Sequence, residues 1–316
     1  MCDLTAPEFQ DEDIARKHIE ANRWPDGPVC PHCGGTERNY PIKANEKKKI
    51  RKGLYKCNDC KTHFTVTIGT VFEGSRVLLN KWLMAIHLMC ASKKGISSHQ
   101  LHRMLGVTYK TAWFMAHRIR ESMVDDNPPP IGGKGKSVQA DETYFGNVEK
   151  PRTVRVDGTP YLKKGKVANK RPIVSLVCEG KARTFHVKRA NAETVREILV
   201  ANVSRETELH TDESPIYTRL GEEYAAHKTV NHSKGQYVRS DGMTTNNVEN
   251  YFSVFKRGMK GVYQHCKEKH LQRYINEFDF RYNTRDLTDA ERATKALQGI
   301  EGKRLTYRRT GNGAHV

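Results

Sequence analysis

The apolar positions change period once along this chain, and the change divides it. Before residue 127 they recur at helical spacing. Phe9, Ile14 and Ile19 predict a helix over 7–22, ended by Trp24-Pro25-Asp26-Gly27-Pro28, which cannot continue it. Trp82, Leu83, Ile86 and Met89 predict a helix over 80–92. Residues 97–123 read as two helices around the turn Gly106-Val107-Thr108. Ser97 is N-cap of the first, Leu101 and Leu105 form its apolar face, and Ala112, Trp113, Ala116 and Ile119 face inward on the second. Asn127-Pro128-Pro129-Pro130-Ile131-Gly132-Gly133 is a linker, because three prolines stop a helix and paired glycines flex.

Beyond the linker the period shortens to that of strands. Ser137 to Thr143 is a short extended run, and Pro172 to Cys178 and Ala182 to Lys188 flank the hairpin signal Glu179-Gly180-Lys181. Asn191 to Val203 is helical, with Val195, Ile198 and Leu199 on one face, and Glu208 to Asp212 is a further strand. Residues 245–260 and 268–283 read as helices. The predicted order is βββαβ followed by helices, with no internal repeat.

Charge sharpens this division. The 316 residues carry 54 Lys and Arg against 36 Asp and Glu, a net +18, which suits a polyanionic partner such as nucleic acid. The excess is uneven. Residues 1–26 hold 7 acids against 3 bases, residues 27–75 hold 4 against 9, and residues 76–121 hold 1 against 8. An acidic leader thus precedes two basic modules, where DNA is expected to bind. No apolar run approaches the ~20 residues that span a bilayer. The acidic start MCDLTAPEFQDED lacks the order of a signal peptide. A cytoplasmic, nucleoid-associated protein without a membrane partner is expected, and its 8 cysteines are then thiols or metal ligands rather than disulfides.

Four of those cysteines form two knuckles, Cys30-Pro31-His32-Cys33 and Cys57-Asn58-Asp59-Cys60, with 23 residues between them. Two such turns supply a tetrahedral sulfur shell for one structural Zn2+. His32 and His63 are possible substitute ligands, but four cysteines already close the site. The loop between carries Lys47, Lys48, Lys49, Arg51 and Lys52, a solvated run or a phosphate contact. Cys2, Cys90, Cys178 and Cys266 show no ligand spacing. The paired helices over 97–123 have a helix-turn-helix layout, in which the second helix enters the major groove. Lys110, Arg118 and Arg120 on that helix are the candidate DNA contacts. The alternative is an ordinary helical hairpin.

The catalytic candidates are acids. Val138-Gln139-Ala140-Asp141-Glu142-Thr143 and Leu209-His210-Thr211-Asp212-Glu213 each end an extended run in an Asp-Glu pair, of which only one member can face a shared site. The third acid is Glu249, on a helix whose apolar stripe is Val248, Phe252, Phe255 and Met259. Glu249, Ser253, Lys256 and Lys260 share another face, with Lys256 two turns after Glu249. Asp241, beside Gly242, reads as a turn residue. Asp141, Asp212 and Glu249 from two strands and a helix can hold a pair of Mg2+ (or Mn2+) ions for in-line displacement at phosphorus. Any one acid alone would be a surface group; the combination carries the reading.

The words around these residues resemble the insertion-sequence transposases of the zinc-ribbon, ISXO-like group. They begin with Arg23-Trp24-Pro25-Asp26-Gly27 and the first knuckle, and run through Thr67 to Ser75 and Lys93-Lys94-Gly95-Ile96-Ser97. Asp141-Glu142-Thr143-Tyr144-Phe145-Gly146 and Val230-Asn231-His232-Ser233-Lys234-Gly235 follow. The strongest stretch includes Asn247-Val248-Glu249-Asn250, Phe255-Lys256-Arg257-Gly258, His270 to Tyr274 and Glu277 to Asn283. The resemblance covers about residues 20–285 in order. It implies a ribonuclease-H-like α/β catalytic domain, a mixed sheet with flanking helices. The acidic triad falls at Asp141, Asp212 and Glu249, and Lys256 matches the basic residue after the glutamate.

The expected organisation is an acidic N-terminal helix (1–28), a zinc ribbon (29–75), a helix-turn-helix domain (76–126), a linker (127–136), the catalytic domain (137–290) and a basic tail (291–316). The expected activity is DNA strand cleavage and transfer, with terminal repeats and target DNA as partners and a homo-oligomer assembled on DNA. Lys256 is the candidate for positioning DNA. Two rivals are a hydrolytic nuclease using the same triad, and a regulator using only the ribbon and the helix-turn-helix.

Overall fold

A computed structural model describes residues 4–148, 153–161, 170–230 and 245–306. The words Asn231 to Gly235 and the alternative acid Asp241 lie outside these residues. The chain divides into two units, 1–124 with 287–316, and 125–286.

In the first unit the leading helix is two helices. α1 (Pro7–Gln10) stops at Asp11, whose carboxylate accepts from the N–H groups of Asp13 and Ile14 and so starts α2 (Glu12–Arg23). Three short strands follow, β1 (Asn39–Pro41), β2 (Tyr55–Cys57) and β3 (His63–Phe64), in an antiparallel sheet. Trp24, Tyr55 and Phe64 pack ring against ring beneath them. The helices α3 (Leu79–Ala91), α4 (Ser98–Leu105) and α5 (Tyr109–Ser122) come next. Ser97 and Thr108 cap α4 and α5, and Gly106 ends α4 in the left-handed region at φ 60°.

The second unit contains a five-stranded sheet. Its strands are β4 (Ser137–Asn147), β7 (Lys170–Cys178), β8 (Lys181–His186), β9 (Glu208–Asp212) and β10 (Ala226–Val230), in the order β10-β9-β4-β7-β8. A separate two-stranded ribbon, β5 (Thr153–Val154) with β6 (Pro160–Tyr161), lies between β4 and β7 in the chain. β4, β7 and β8 are antiparallel; α6 (Ala192–Asn202) then crosses over to β9, which runs parallel to both β4 and β10. Three antiparallel strands followed by two parallel ones reached through a helix make the expected ribonuclease-H-like mixed sheet. β10 was not foreseen: Ala-His-Lys-Thr-Val is a half-exposed edge strand and shows no alternation to read.

The two faces of this sheet bury different clusters. Val138, Ala140, Val174, Leu176 and Leu209 pack with Val195 and Leu199 of α6. On the other face, Ile173 and Val177 pack with α7 (Asn246–Gly258) and α8 (Leu271–Asn283), through Val248, Phe252, Phe255, Ile275 and Phe278. The stripe predicted for α7 is therefore its buried face. The helix passes into a wider turn, Met259–Tyr263, in which Gln264 N–H donates to the Met259 carbonyl.

The segment expected as a basic tail contains α9 (Asp289–Gln298), opened by a capping box between Thr288 and Glu291. It belongs to the first unit, where Ala296, Leu297 and Ile300 are buried and α9 packs on α3. Arg292 donates to the Cys90 carbonyl, and Gly302 N–H donates to the Gly69 carbonyl. A side chain at Gly299 would sit 2.1 Å from the Ser122 carbonyl oxygen, so the approach of this segment to α5 requires glycine there. Among the described residues no helix is long and apolar enough to cross a membrane.

Candidate active site and zinc ribbon

The four knuckle cysteines meet. Their sulfur atoms all lie within 4.8 Å of one another, with Cys30 to Cys60 at 3.7 Å and Cys33 to Cys57 at 3.6 Å. Zn–S bonds of ~2.3 Å place tetrahedral sulfurs about 3.8 Å apart, so this spacing fits one Zn2+. Each knuckle is set by its own backbone: Gly34 N–H bonds to the Cys30 carbonyl, and Cys57 N–H bonds to the Thr62 carbonyl. Asn39 clamps the first, donating to the carbonyls of Pro28 and Gly35 at 2.7 Å each. Lys47, Lys48, Lys49, Arg51 and Lys52 are all exposed, and Lys52 pairs with Asp13.

The two aspartates stand side by side. β4 and β9 pair through Gln139 and His210; two residues further along each strand lie Asp141 and Asp212. In parallel strands equal steps keep both side chains on one face, about 5 Å apart between backbones. That face is the one under α7, because Asp141 lies opposite Ser175, which alternates with Val174 and Leu176 of the other cluster. Glu249 sits in the first turn of α7, where its Oε1 accepts from the Thr245 hydroxyl at 2.9 Å.

Electrostatics marks the convergence. The carboxyl of Asp141 is pushed up to about 7, first by burial and then by the negative charges of Asp212, Glu142 and Glu249. The Lys256 ammonium is lowered by burial, while Asp141 favours its charge and Lys260 and Lys170 oppose it. The acids are within range of one another without closing: among the described residues only the cysteines gather three or more ligand atoms within 4.8 Å. A like-charged carboxylate group that includes a buried member fits a divalent cation, the countercharge that its oxygen donors prefer.

This cluster gives a pH dependence. A carboxyl whose folded pKa lies above its ordinary 3.8 holds its proton longer in the folded chain than in the unfolded one. Metal-free protein should therefore lose stability as pH rises from about 4 to about 7, and added Mg2+ should reverse the loss. Urea unfolding at both ends of that range, with chelator and with Mg2+, measures this. An Mg2+-independent stability that rises across the window would refute it.

The neighbouring acids stand elsewhere. Glu142 lies opposite Val174, on the α6 face, and its Oε2 accepts from the buried Tyr217 hydroxyl at 2.8 Å. Its carboxyl is raised by burial, opposed by that bond. Glu213 is exposed. Three residues with no motif of their own also serve this region. Ser214 N–H donates to Asp212 Oδ1, Thr245 holds Glu249, and Gln139 accepts from the first turn of α7. Only Gln139 left a trace in the sequence, as the residue two before Asp141 on an alternating strand.

The proposed DNA contacts need correction. Lys110 is exposed on the first turn of α5, but Arg118 and Arg120 are buried, at 6% and 1% exposure. Arg118 donates to the carbonyls of Val71, Glu73 and Leu305 at 2.8–3.0 Å and covers the Phe114 ring. α5 packs against α3, α4 and α9, so its later turns have no face left for phosphates. Arg118→Ala should destabilise the first unit by roughly 2–3 kcal/mol, because it strands those carbonyls. Denaturant melts report this; unchanged stability with lost DNA affinity would return Arg118 to the DNA surface.

Two transposase family models match separate stretches of this chain. The transposase zinc-ribbon domain matches residues 10–63, and the ISXO2-like transposase domain matches residues 133–283. A Halobacterium salinarum protein described as an uncharacterized protein in transposable element ISH50 is 28% identical over 288 residues, covering 86% of this chain and 91% of its own length. Among solved structures, a Mos1 transposase paired-end complex with the left transposon end aligns over 71% of this chain and 80% of that one, at 12% identity and TM-score 0.27. A pre-cleavage Mos1 transpososome aligns over 67% and 75%, at 10% identity and TM-score 0.26.

Proposed function

We propose that this chain, which matches the ISXO2-like transposase domain over residues 133–283 and the transposase zinc-ribbon domain over residues 10–63, cuts DNA at its element ends and joins the freed ends to target DNA. The observation that carries this is the pairing of β4 with β9, which sets Asp141 and Asp212 on the sheet face that α7 covers, with the Asp141 carboxyl raised by burial and then by the charges of Asp212, Glu142 and Glu249.

In this reading Asp141, Asp212 and Glu249 hold two Mg2+ (or Mn2+) ions. When bound, such ions supply the Lewis-acid charge that stabilises attacking and leaving oxygens at phosphorus. In the first reaction a water oxygen bonds to phosphorus as the P–O3′ bond at the element end breaks, and the departing 3′ oxygen gains a proton. In the second that 3′-hydroxyl bonds to a target phosphorus, and the target's own P–O3′ bond breaks. Lys256, beside Asp141, neutralises a non-bridging phosphate oxygen and sets the strand in line. Thr245 keeps Glu249 from swinging out of the site by its hydrogen bond.

DNA is gripped by the first unit, through the basic loop between the knuckles and the exposed start of α5 at Lys110, used as a helix-turn-helix; the assembly on DNA is a homo-oligomer. A strand-transfer assay tests the reading. Purified protein with Mg2+, labelled DNA bearing its own locus's terminal repeats, and a supercoiled target should yield joined products. Cut ends that are never joined would make it a nuclease; no Mg2+-dependent cutting at all would make it a DNA-binding regulator.

A further inference from the structure

Two hydrogen bonds tie the strand that carries Asp141 to the helix that carries Glu249. Gln139 Oε1, on β4, accepts from the backbone N–H groups of Asn247 at 3.1 Å and Val248 at 3.2 Å. These belong to the first turn of α7, whose N–H groups have no partner within the helix. The N-cap residue supplies them no side-chain acceptor: the Thr245 hydroxyl is instead donated to Glu249. Gln139 is buried at 7% exposure. It stands two residues before Asp141, so the two share a face about 7 Å apart along the strand. Val248, whose N–H it holds, immediately precedes Glu249.

We propose that Gln139 is a positioning residue of the acidic site, clamping the first turn of α7 to β4 so that Glu249 is held at a set distance from Asp141. The proposal rests on the transposase reading of that site. A helix needing only a cap could take it from its own N-cap side chain, as α4 and α5 do from Ser97 and Thr108. An acceptor from the sheet does more, because it fixes where the helix begins relative to a particular strand residue. The amide also does so without adding a further charge beside Asp141, Asp212 and Glu249.

The test uses the full chain with terminal-repeat DNA. Gln139→Leu removes the acceptor at similar volume. Its kcat for cutting and joining should fall about 10- to 100-fold, as for other partners that orient metal ligands, with KM for DNA unchanged. Mn2+ binding without DNA, followed by electron paramagnetic resonance, should weaken in parallel. Gln139→Glu restores an acceptor oxygen but adds one negative charge beside the acids, so it should recover both in part. Wild-type kcat and Mn2+ binding in Gln139→Leu would overturn the proposal, as would equal failure of the Glu variant. Should the Leu variant not fold, Gln139→Asn draws the carbonyl back by one methylene and should lower kcat alone; wild-type kcat there overturns the proposal too. Asp141→Asn run alongside separates the premises. If it stays active, the transposase reading of the site falls; if it is dead beside a fully active Gln139→Leu, only the clamp falls.

Discussion

Glu249→Gln should leave the protein folded and able to bind DNA while cutting and joining both fall by at least about 1,000-fold, the scale on which loss of a group central to the chemistry is felt. The change removes one negative charge and keeps the volume. The amide oxygen can still accept from the Thr245 hydroxyl, so the first turn of α7 keeps its local bonds. What disappears is a negative charge that acts on Asp141, and in the proposed reading one site serves both reactions. Glu142→Gln is the matched control. It faces the α6 side, and its amide can still accept from Tyr217, so it should retain far more activity under the same Mg2+ conditions. Gel assays of both steps measure the contrast. Near-normal strand transfer by Glu249→Gln would move the third acid off this helix.

Loss of zinc should be as severe for the first unit. The ribbon rests on strands of three, three and two residues and one aromatic cluster, too little apolar burial to hold residues 29–65 by itself. Structural zinc sites contribute folding energy outright. Elemental analysis should find about one zinc per chain. Cys57→Ser should abolish it and leave the ribbon amides in fast hydrogen exchange, while those of β4 and β9 stay protected. Folded, active, zinc-free protein would end this assignment.

The parts of this protein that could be read in advance are those whose geometry is local. A C-x2-C turn places two sulfurs whatever surrounds it, so Cys30, Cys33, Cys57 and Cys60 were legible from spacing. Alternation along each strand left one acid of each Asp-Glu pair for a shared face, which the parallel pairing of β4 with β9 then gave to Asp141 and Asp212, and the helical period of α7 put Val248, Phe252 and Phe255 inward with Glu249 aside. β10 was not legible, because an edge strand half open to solvent needs no apolar alternation.

The sequence by itself determined the cysteine set, the change from helical to strand period at the linker, and the acids at the strand ends, since each follows from residues a few positions apart. Tertiary structure alone decided what joins distant positions. It returned the chain from Leu287 onward to the first unit, and so turned Arg118 from a candidate phosphate contact into a buried donor to Val71, Glu73 and Leu305. A guanidinium has the same donors for a phosphate as for a carbonyl, and only the packing of α3, α4 and α9 around α5 chooses between them. It also set Gln139 against the start of α7, 108 residues away, a pairing that no periodicity within either element encodes.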